Sequence, residues 1–458
     1  MAGFNLPGKV KRIGRILREN GFQCFLVGGA VRNLVMGCKP KDYDLATDAH
    51  PKDVQRIFHR VIPTGVEHGT VTVLFQGESF EVTTFRSESG YSDGRHPDAV
   101  RFETRLEADL SRRDFTMNGM AIDVASGELH DPFGGRKDIR RRLVRAIGAP
   151  DERLREDGLR VLRAFRFAAQ LDFRIEDETC AALARVRNAL SAVAAERVRE
   201  ELVRMLEAPR PSVGLRAMQE TGVLEIVLPE LSSCAGVPQE GGAVSDLLDH
   251  LLLACDGAPA ERREVRLAAL LHDIGKPETM VLEGDEIVHF HGHDQRSAEL
   301  SEQIMTRLRF PTGTIRSVSR LVGAHMIHYT PEWSDAAVRR FIHRVGPEAV
   351  WDLILLQRAD AYGKTGRYPR HSHLDELTER VEGVLSEESA LSVKDLAVDG
   401  RDLQDEAGIP PGPLMGRVLD FLLDTVMEDP SQNERPRLLE IARNFYQEHL
   451  NVTDRPGS

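Results

Sequence analysis

Cysteine is scarce and scattered in this 458-residue chain: Cys24, Cys38, Cys180, Cys234 and Cys255 are odd in number and never stand in a CxxC spacing. That excludes a disulfide framework and a zinc ribbon, and it points to a reducing cytoplasm. Long apolar runs are missing too. No stretch reaches the roughly eighteen residues of a spanning helix, so no membrane partner is expected. The first residues, MAGFNLPGKVKRIGRILREN, lack a continuous apolar block, and Val10, Ile13, Ile16 and Leu17 recur at helical spacing, which predicts an amphipathic helix and not a secretion signal. Positive charge is in deficit overall, with a net charge of -12. A polyanion would therefore have to meet a restricted basic zone. No internal repeat or low-complexity tract is present.

Such a zone is present between Gly134 and Phe167, where arginine recurs at nearly every helical turn. It reads equally as a solvated helix face and as a phosphate-contacting one. Upstream, CFLV (24–27), VTVLF (71–75), FEVTTF (80–85) and MAID (120–123) are β-like runs separated by turns and helical patterns, which predicts an α/β or α+β head. From about residue 136 the period becomes helical, through Arg153–Leu171, Glu178–Leu190 and Ala194–Leu206, and the remainder is expected to be all-α.

Phe25–Met36 reads as strand, Gly28-Gly29 turn, then helix, a geometry that lets backbone N–H groups approach an anion, with Arg32 facing the same phosphate. Asp42 and Asp44 flank Tyr43. In an extended segment alternate residues share a face, so the two carboxylates converge and call for a cation. Mg²⁺ suits them, because it takes one or two carboxylates and leaves positions for water and phosphate oxygens. Glu81 is either a third inward carboxylate, holding metal or acting as base, or half of an ion pair with Arg86.

GGAVR (28–32), KDYDLAT (41–47), GTVTV (69–73), FEVTTFR (80–86), SESGYSDGRHPDAVRF (87–102), RRDFTMNGMAID (112–123) and REDGLRVLRAFRFA (155–168) follow one another in an order that resembles the class II tRNA nucleotidyltransferases, the CCA-adding enzymes and their poly(A) polymerase relatives. The resemblance implies a polymerase-β-like head with a mixed sheet, so the expected fold class is α+β. It implies that Gly28, Gly29, Arg32 and Arg113 hold a triphosphate, and that Asp42 and Asp44 hold Mg²⁺. It implies ATP and CTP as substrates and the tRNA 3′ end as partner. The family usually carries Asp after GGAVR, where this chain has Asn33. An amide keeps the hydrogen-bonding capacity and loses the charge. The loop at 87–102, with Gly90, Asp93, Gly94 and Arg95, is full length, which within this family argues against an enzyme that adds C alone.

Asp157, Arg160, Arg163 and Arg166 are spaced by three, as on one helix stripe. Cytosine and adenine both offer an amino donor next to a ring-nitrogen acceptor. Asp157 could accept from the amino group while Arg160 donates to the ring nitrogen, and uracil or guanine would leave like groups facing each other. The same spacing also suits an ordinary surface ion pair. Family analogy assigns Arg163 and Arg166 to the triphosphate or to the pocket's stability.

Downstream, His250, LLHDIGKP with His272 and Asp273, His293, His325 and Asp360 offer ligands for one or two divalent metals. Over residues 243–365 this pattern resembles the HD superfamily of phosphohydrolases, which implies one metal on His250, His272, Asp273 and Asp360, with His293 and His325 nearby. A scaffold that grips RNA and hydrolyses nothing is the other reading. The expected organisation is a nucleotidyltransferase head at 1–135, a helical neck at 136–207, a helical body with the HD-type domain at 208–390, and a helical tail at 391–458. The expected activity is template-independent CCA addition. An A-adding enzyme or poly(A) polymerase, and an RNA-binding regulator or HD hydrolase with an inactive head, stay open.

Overall fold

The computed structural model describes residues 4–89, 99–239, 243–244, 246–283, 286–368, 373–386 and 392–453. The chain divides into two compact units, Met1–Val237 with Gln303–Pro311, and Pro238–Glu302 with Thr312–Ser458. The expected head and neck thus fall in one unit, and the division lies at 237/238, inside the stretch expected to be a single body. Among the described residues, no helix is long and apolar enough to cross a membrane.

The first unit opens with α1 (Gly8–Glu19), whose Val10, Ile13 and Leu17 are buried at helical spacing. A seven-stranded sheet follows: β1 (Phe25–Val27), β2 (Asp44–Thr47), β3 (Val61–Gly65), β4 (Thr70–Phe75), β5 (Glu78–Thr84), and then β8 (Ala121–Asp123) and β9 (Leu129–His130). Its strand order is β3-β4-β5-β2-β1-β8-β9. β6 (Arg86–Ser89) and β7 (Ala99–Phe102) pair separately as an antiparallel ladder. The loop residues 90–98 that join them, including Gly90, Asp93, Gly94 and Arg95, lie outside the described residues. β2 runs parallel to β5 and antiparallel to β1, so the sheet is mixed. Phe25, Val27, Ala46, Phe85, Leu106, Leu110 and Ala121 form a buried cluster on it. α2 (Gly29–Val35), α3 (Pro51–Ile57), α4 (Leu106–Ser111) and α5 (Gly135–Arg140) complete the head.

The neck comprises α6 (Pro150–Glu156), α7 (Leu159–Leu171), α8 (Asp177–Val186), α9 (Ala195–Leu206) and α10 (Pro211–Glu220). The continuous helix expected over Arg153–Leu171 is therefore broken. Asp157 is extended, with φ -139° and ψ 107°, and a Cβ on Gly158 would lie 2.4 Å from the Ala189 carbonyl oxygen. Only glycine lets the chain pass there, and α7 restarts behind it. α7 buries Val161, Leu162, Phe165 and Phe167; each large side chain removed from water contributes about 1.5–3 kcal/mol.

Among the described residues, the strands of the second unit form one short hairpin, Val281–Glu283 with Glu286–His289, which the expectation of an all-α remainder missed. Helices Leu247–Gly257, Arg263–Leu271 and Val350–Thr365 pack together. The tail carries its own core of Leu403, Ile409, Val418, Leu422, Val426 and Leu438.

Candidate functional site

The sheet register builds the acidic edge of the first site. Val27 pairs with Asp44, and Leu45 pairs with Val82, so Asp44 stands beside Glu81 on the neighbouring parallel strand, on the same face. The Arg86 guanidinium donates to the His68 carbonyl. Asp42 precedes β2, two residues from Asp44. Partial loss of solvent and the like charges of Glu81 and Asp42 raise the pKa of Asp44, against the pull of Arg113. A set of carboxylates that repel one another fits a hard divalent cation.

Gly28 ends β1 with φ 69°, a conformation glycine adopts at no steric cost. A Cβ there would lie 3.1 Å from an Nη of Arg113 and 3.9 Å from Asp44 Oδ2. The glycine therefore brings β1, the carboxylates and Arg113 to one point. Beyond it opens a cavity of about 450 Å³ lined by seven arginines (Arg32, Arg112, Arg113, Arg160, Arg163, Arg166 and Arg197) against three aspartates (Asp44, Asp114 and Asp157), together with Gly28, Gly29, Asn118 and Phe167. An acidic chain thus concentrates cationic groups in one cleft.

Arg32 has neutral partners: it donates to Asn118 at 2.9 Å and to Asn33 Oδ1 at 3.3 and 3.2 Å. Its pKa is pushed down to about 10 by burial and by Arg166 and Arg163, with Asp114 opposing. Asn33 thus accepts from Arg32 through a neutral amide oxygen, a contact that brings Arg32 no counter-charge. Arg113 is held by Asp109, and its Nε is buried without a hydrogen-bond partner.

The stripe of four expected on one helix is a stripe of three. Arg160, Arg163 and Arg166 lie on α7, whereas Asp157 stands in the break before it. Asp157 does not pair with Arg160. Its two oxygens accept from Arg197 on α9 at 3.2 and 2.9 Å, and the Leu159 N–H donates to it at 3.1 Å. Arg160 donates to Glu156 and to the Arg153 and Arg112 carbonyls. Arg163 pairs with Asp114 at 2.6 Å, and Arg166 with Glu201 at 2.5 Å. Asp114 is buried, which by itself lifts its pKa, but Arg163 and the Asn118 amide outweigh burial and hold it down to about 2.

Arg197, Asp114, Asn118 and Asp109 were not singled out from sequence. Asp114 and Asn118 lie inside the RRDFTMN run, so a signal existed for them. Arg197 lies on another helix and had none. In the basic zone, Arg142 pairs with Asp172 and Arg145 with Asp138, while Lys137, Arg140 and Arg141 are exposed.

The second unit gathers the six downstream ligand candidates. His250 and His272 present Nε2 atoms 3.1 Å apart, each near Asp360 Oδ1 at 3.3 and 3.5 Å. His293 and His325 Nε2 lie 3.3 and 3.5 Å from Asp273 Oδ1, a buried oxygen with no hydrogen bond. His272, His293 and His325 each turn Nδ1 to a backbone carbonyl. A carbonyl can only accept, so Nδ1 carries the proton and, in the neutral ring, the Nε2 lone pair faces inward. Burial lowers the His272 pKa. Burial would raise that of Asp273, but His272, His293, His325 and Lys276 hold it well below the usual carboxylate range. Imidazole nitrogens gathered around the carboxylates of Asp273 and Asp360 are of the donor types a divalent metal takes. Lys276 and Lys364 flank the adjoining cavity of about 290 Å³.

Comparison with known proteins fits this geometry. Residues 24–145 match the poly A polymerase head domain, residues 172–234 the RNA and SrmB-binding site of polymerase A, and residues 293–442 domain 2 of tRNA nucleotidyltransferases. The CCA-adding enzyme of Enterococcus faecalis is 32% identical over 444 residues, 96% of this chain and 97% of that one. That of Lactobacillus johnsonii is 34% identical over 429 residues, 93% and 94% of the two chains. The crystal structure of the Bacillus stearothermophilus CCA-adding enzyme in complex with CTP superposes with a TM-score of 0.75 at 27% identity, covering 97% of this chain and 98% of that one. The mixed-sheet head, the arginine-lined cleft and full-length similarity together establish that the chain belongs to the CCA-adding enzymes, a family of metal-dependent nucleotidyltransferases.

Proposed function

We propose that this protein adds C and A from CTP and ATP to the 3′ end of tRNA without a nucleic-acid template. The observation that carries the reading is the juxtaposition of Asp44 and Glu81 in register on one sheet face with a cleft of seven arginines beyond Gly28. Asp42 and Asp44 are the residues to hold a divalent cation, Mg²⁺ by the hardness of the donors, which would neutralise triphosphate charge and make the 3′ hydroxyl more acidic. Glu81 is the carboxylate available to take the hydroxyl's proton. Arg32 and Arg113 hold the triphosphate. The 3′ oxygen then attacks the α-phosphorus, the bond to the bridging oxygen breaks, and pyrophosphate leaves.

Base choice falls to Asp157, held from behind by Arg197, together with Arg160. The carboxylate accepts from the amino group of C or A, and the guanidinium donates to the ring nitrogen. U or G would instead turn a carbonyl to the carboxylate and a ring N–H to the guanidinium, like group against like. The ion pairs of Arg163 and Arg166 fit them to stabilising the cleft. Arg140 and Arg141 are free to meet RNA backbone, which makes binding salt-sensitive. Incubating tRNA that lacks CCA, or that ends in C or CC, with each triphosphate separately tests the reading. C, C and A should be added in turn, and incorporation of A alone, or of A in long tracts, would favour an A-adding enzyme or a poly(A) polymerase.

The convergence of histidine Nε2 atoms on Asp273 and Asp360 favours a second reading for the helical unit: His250, His272, Asp273 and Asp360 hold a divalent metal, with His293 and His325 on the other oxygen of Asp273, in a site that hydrolyses phosphoesters. Metal-stimulated phosphatase activity in the wild type and its loss in Asp273→Ala test it. Equal background rates in both would leave the unit a scaffold.

A further inference from the structure

Asp109 on α4 is fully buried, at 0% exposure, a placement carboxylates rarely take unless they are paired. Its Oδ1 accepts from Arg112 Nε and Nη2 at 3.0 and 2.8 Å, and its Oδ2 from Arg113 Nη2 at 3.3 Å. One carboxylate therefore ties down two consecutive arginines that both line the nucleotide cleft. Two acids compete for Arg113. Its guanidinium lies in the electrostatic range of Asp44, and both reach the space around Gly28. The ion pair, however, is made with Asp109. An arginine seated on Asp44 would neutralise the carboxylate that has to receive a cation, and would withdraw its own charge from the triphosphate.

We infer that Asp109 is a positioning residue for nucleotide transfer: it holds Arg113 off Asp44, leaving Asp44 open to the cation and the free edge of Arg113 turned to the triphosphate. The inference rests on the roles given to Asp44 and Arg113 under the proposed function. In Asp109→Asn the side chain keeps its shape, but its –NH₂ donates where Oδ2 accepted or where Oδ1 did, so one of the two arginines loses its acceptor. Asp44 is the carboxylate within reach of a released Arg113.

The test compares wild type, Asp109→Asn, Arg113→Gln and the double variant Asp109→Asn/Arg113→Gln. CTP and ATP binding is measured by titration calorimetry in EDTA. The Mg²⁺ concentration giving half-maximal incorporation of C into tRNA lacking CCA is measured in parallel. Asp109→Asn should weaken both triphosphates equally, about tenfold, and raise the Mg²⁺ requirement about tenfold. The ratio of C to U incorporation should not change, because Asp157 is untouched. In the double variant the competing guanidinium is gone, so the Mg²⁺ requirement should return to that of Arg113→Gln alone while triphosphate binding stays weak. A purely structural role would not produce that return. If Asp109→Asn does not fold, Asp109→Ala/Arg112→Gln removes one of the arginine charges that Asp109 balances together with the acceptor of Arg113, frees Arg113, and is judged by the same readouts. A folded variant with wild-type triphosphate affinity, or a Mg²⁺ requirement that removing Arg113 does not restore, overturns the inference. Absence of C addition by the wild type would instead overturn the proposed function.

Discussion

Asp157 and Arg197, forty residues apart, hold each other through two hydrogen bonds of 3.2 and 2.9 Å across the neck. Asp157 sits in a helix break with extended backbone, where no helical ladder fixes its side chain. The bidentate clasp from α9 supplies that orientation. Arg197→Ala should leave the fold intact, slow CTP incorporation and raise UTP misincorporation relative to CTP by about tenfold. Competition between the two triphosphates on tRNA lacking CCA measures it, and an unchanged ratio would detach Asp157 from base choice.

Asn33→Asp would place a carboxylate against Arg32, whose present partners are two neutral amides. The new charge relieves the crowding by Arg166 and Arg163 and competes with the triphosphate for the same guanidinium. The melting temperature should rise, and KM for CTP and ATP should rise together by about threefold. Unchanged KM for both would show that Arg32 does not face the nucleotide.

Asp114 binds Arg163 and Asn118, and its pKa in the folded protein, about 2, lies below the ordinary 3.8. A depressed carboxylate stabilises the fold above its unfolded pKa, and that contribution is lost as pH falls through the folded value. Asp114→Asn should therefore be less stable than wild type by about 2 kcal/mol at neutral pH, with the gap narrowing between pH 3.8 and about 2. Urea denaturation across that range checks it; a gap independent of pH would mean that the loss is one of packing.

Much of the head was legible in sequence because its signals are local. Two glycines after an apolar run, and two acids one residue apart, are short-range patterns, and the sheet register then aligns Asp44 with Glu81. The neck was misread at one place. Helical periodicity runs across Asp157 and Gly158, and the reason for the break is a carbonyl thirty-one residues on, that of Ala189, which leaves no room for a side chain. Asp109 stands three and four residues before Arg112 and Arg113, a local ion-pair spacing, whereas Arg197 carries no such signal. Arg197 acts by reaching Asp157, forty residues away, whose position only the packing of separate elements determines. The histidines of the second unit were recognisable as ligand types, but their convergence on the two oxygens of Asp273 depends on the helices that carry them.

Metal bound only by the folded second unit should stabilise it. At a concentration a hundredfold over Kd the gain is about 2.7 kcal/mol. The calorimetric melting of the second unit with Mn²⁺ and with EDTA should differ for wild type and coincide for His272→Ala. The same shift in both proteins would mean that His272 holds no metal.

The central claim is that the carboxylates at the mouth of the arginine cleft drive nucleotide addition, and incorporation of labelled CTP into tRNA lacking CCA by wild type and Asp44→Ala tests it most directly. The account predicts C addition by the wild type and a loss of about a thousandfold or more in a variant that still folds and still binds tRNA. Incorporation by Asp44→Ala within a fewfold of wild type would contradict it.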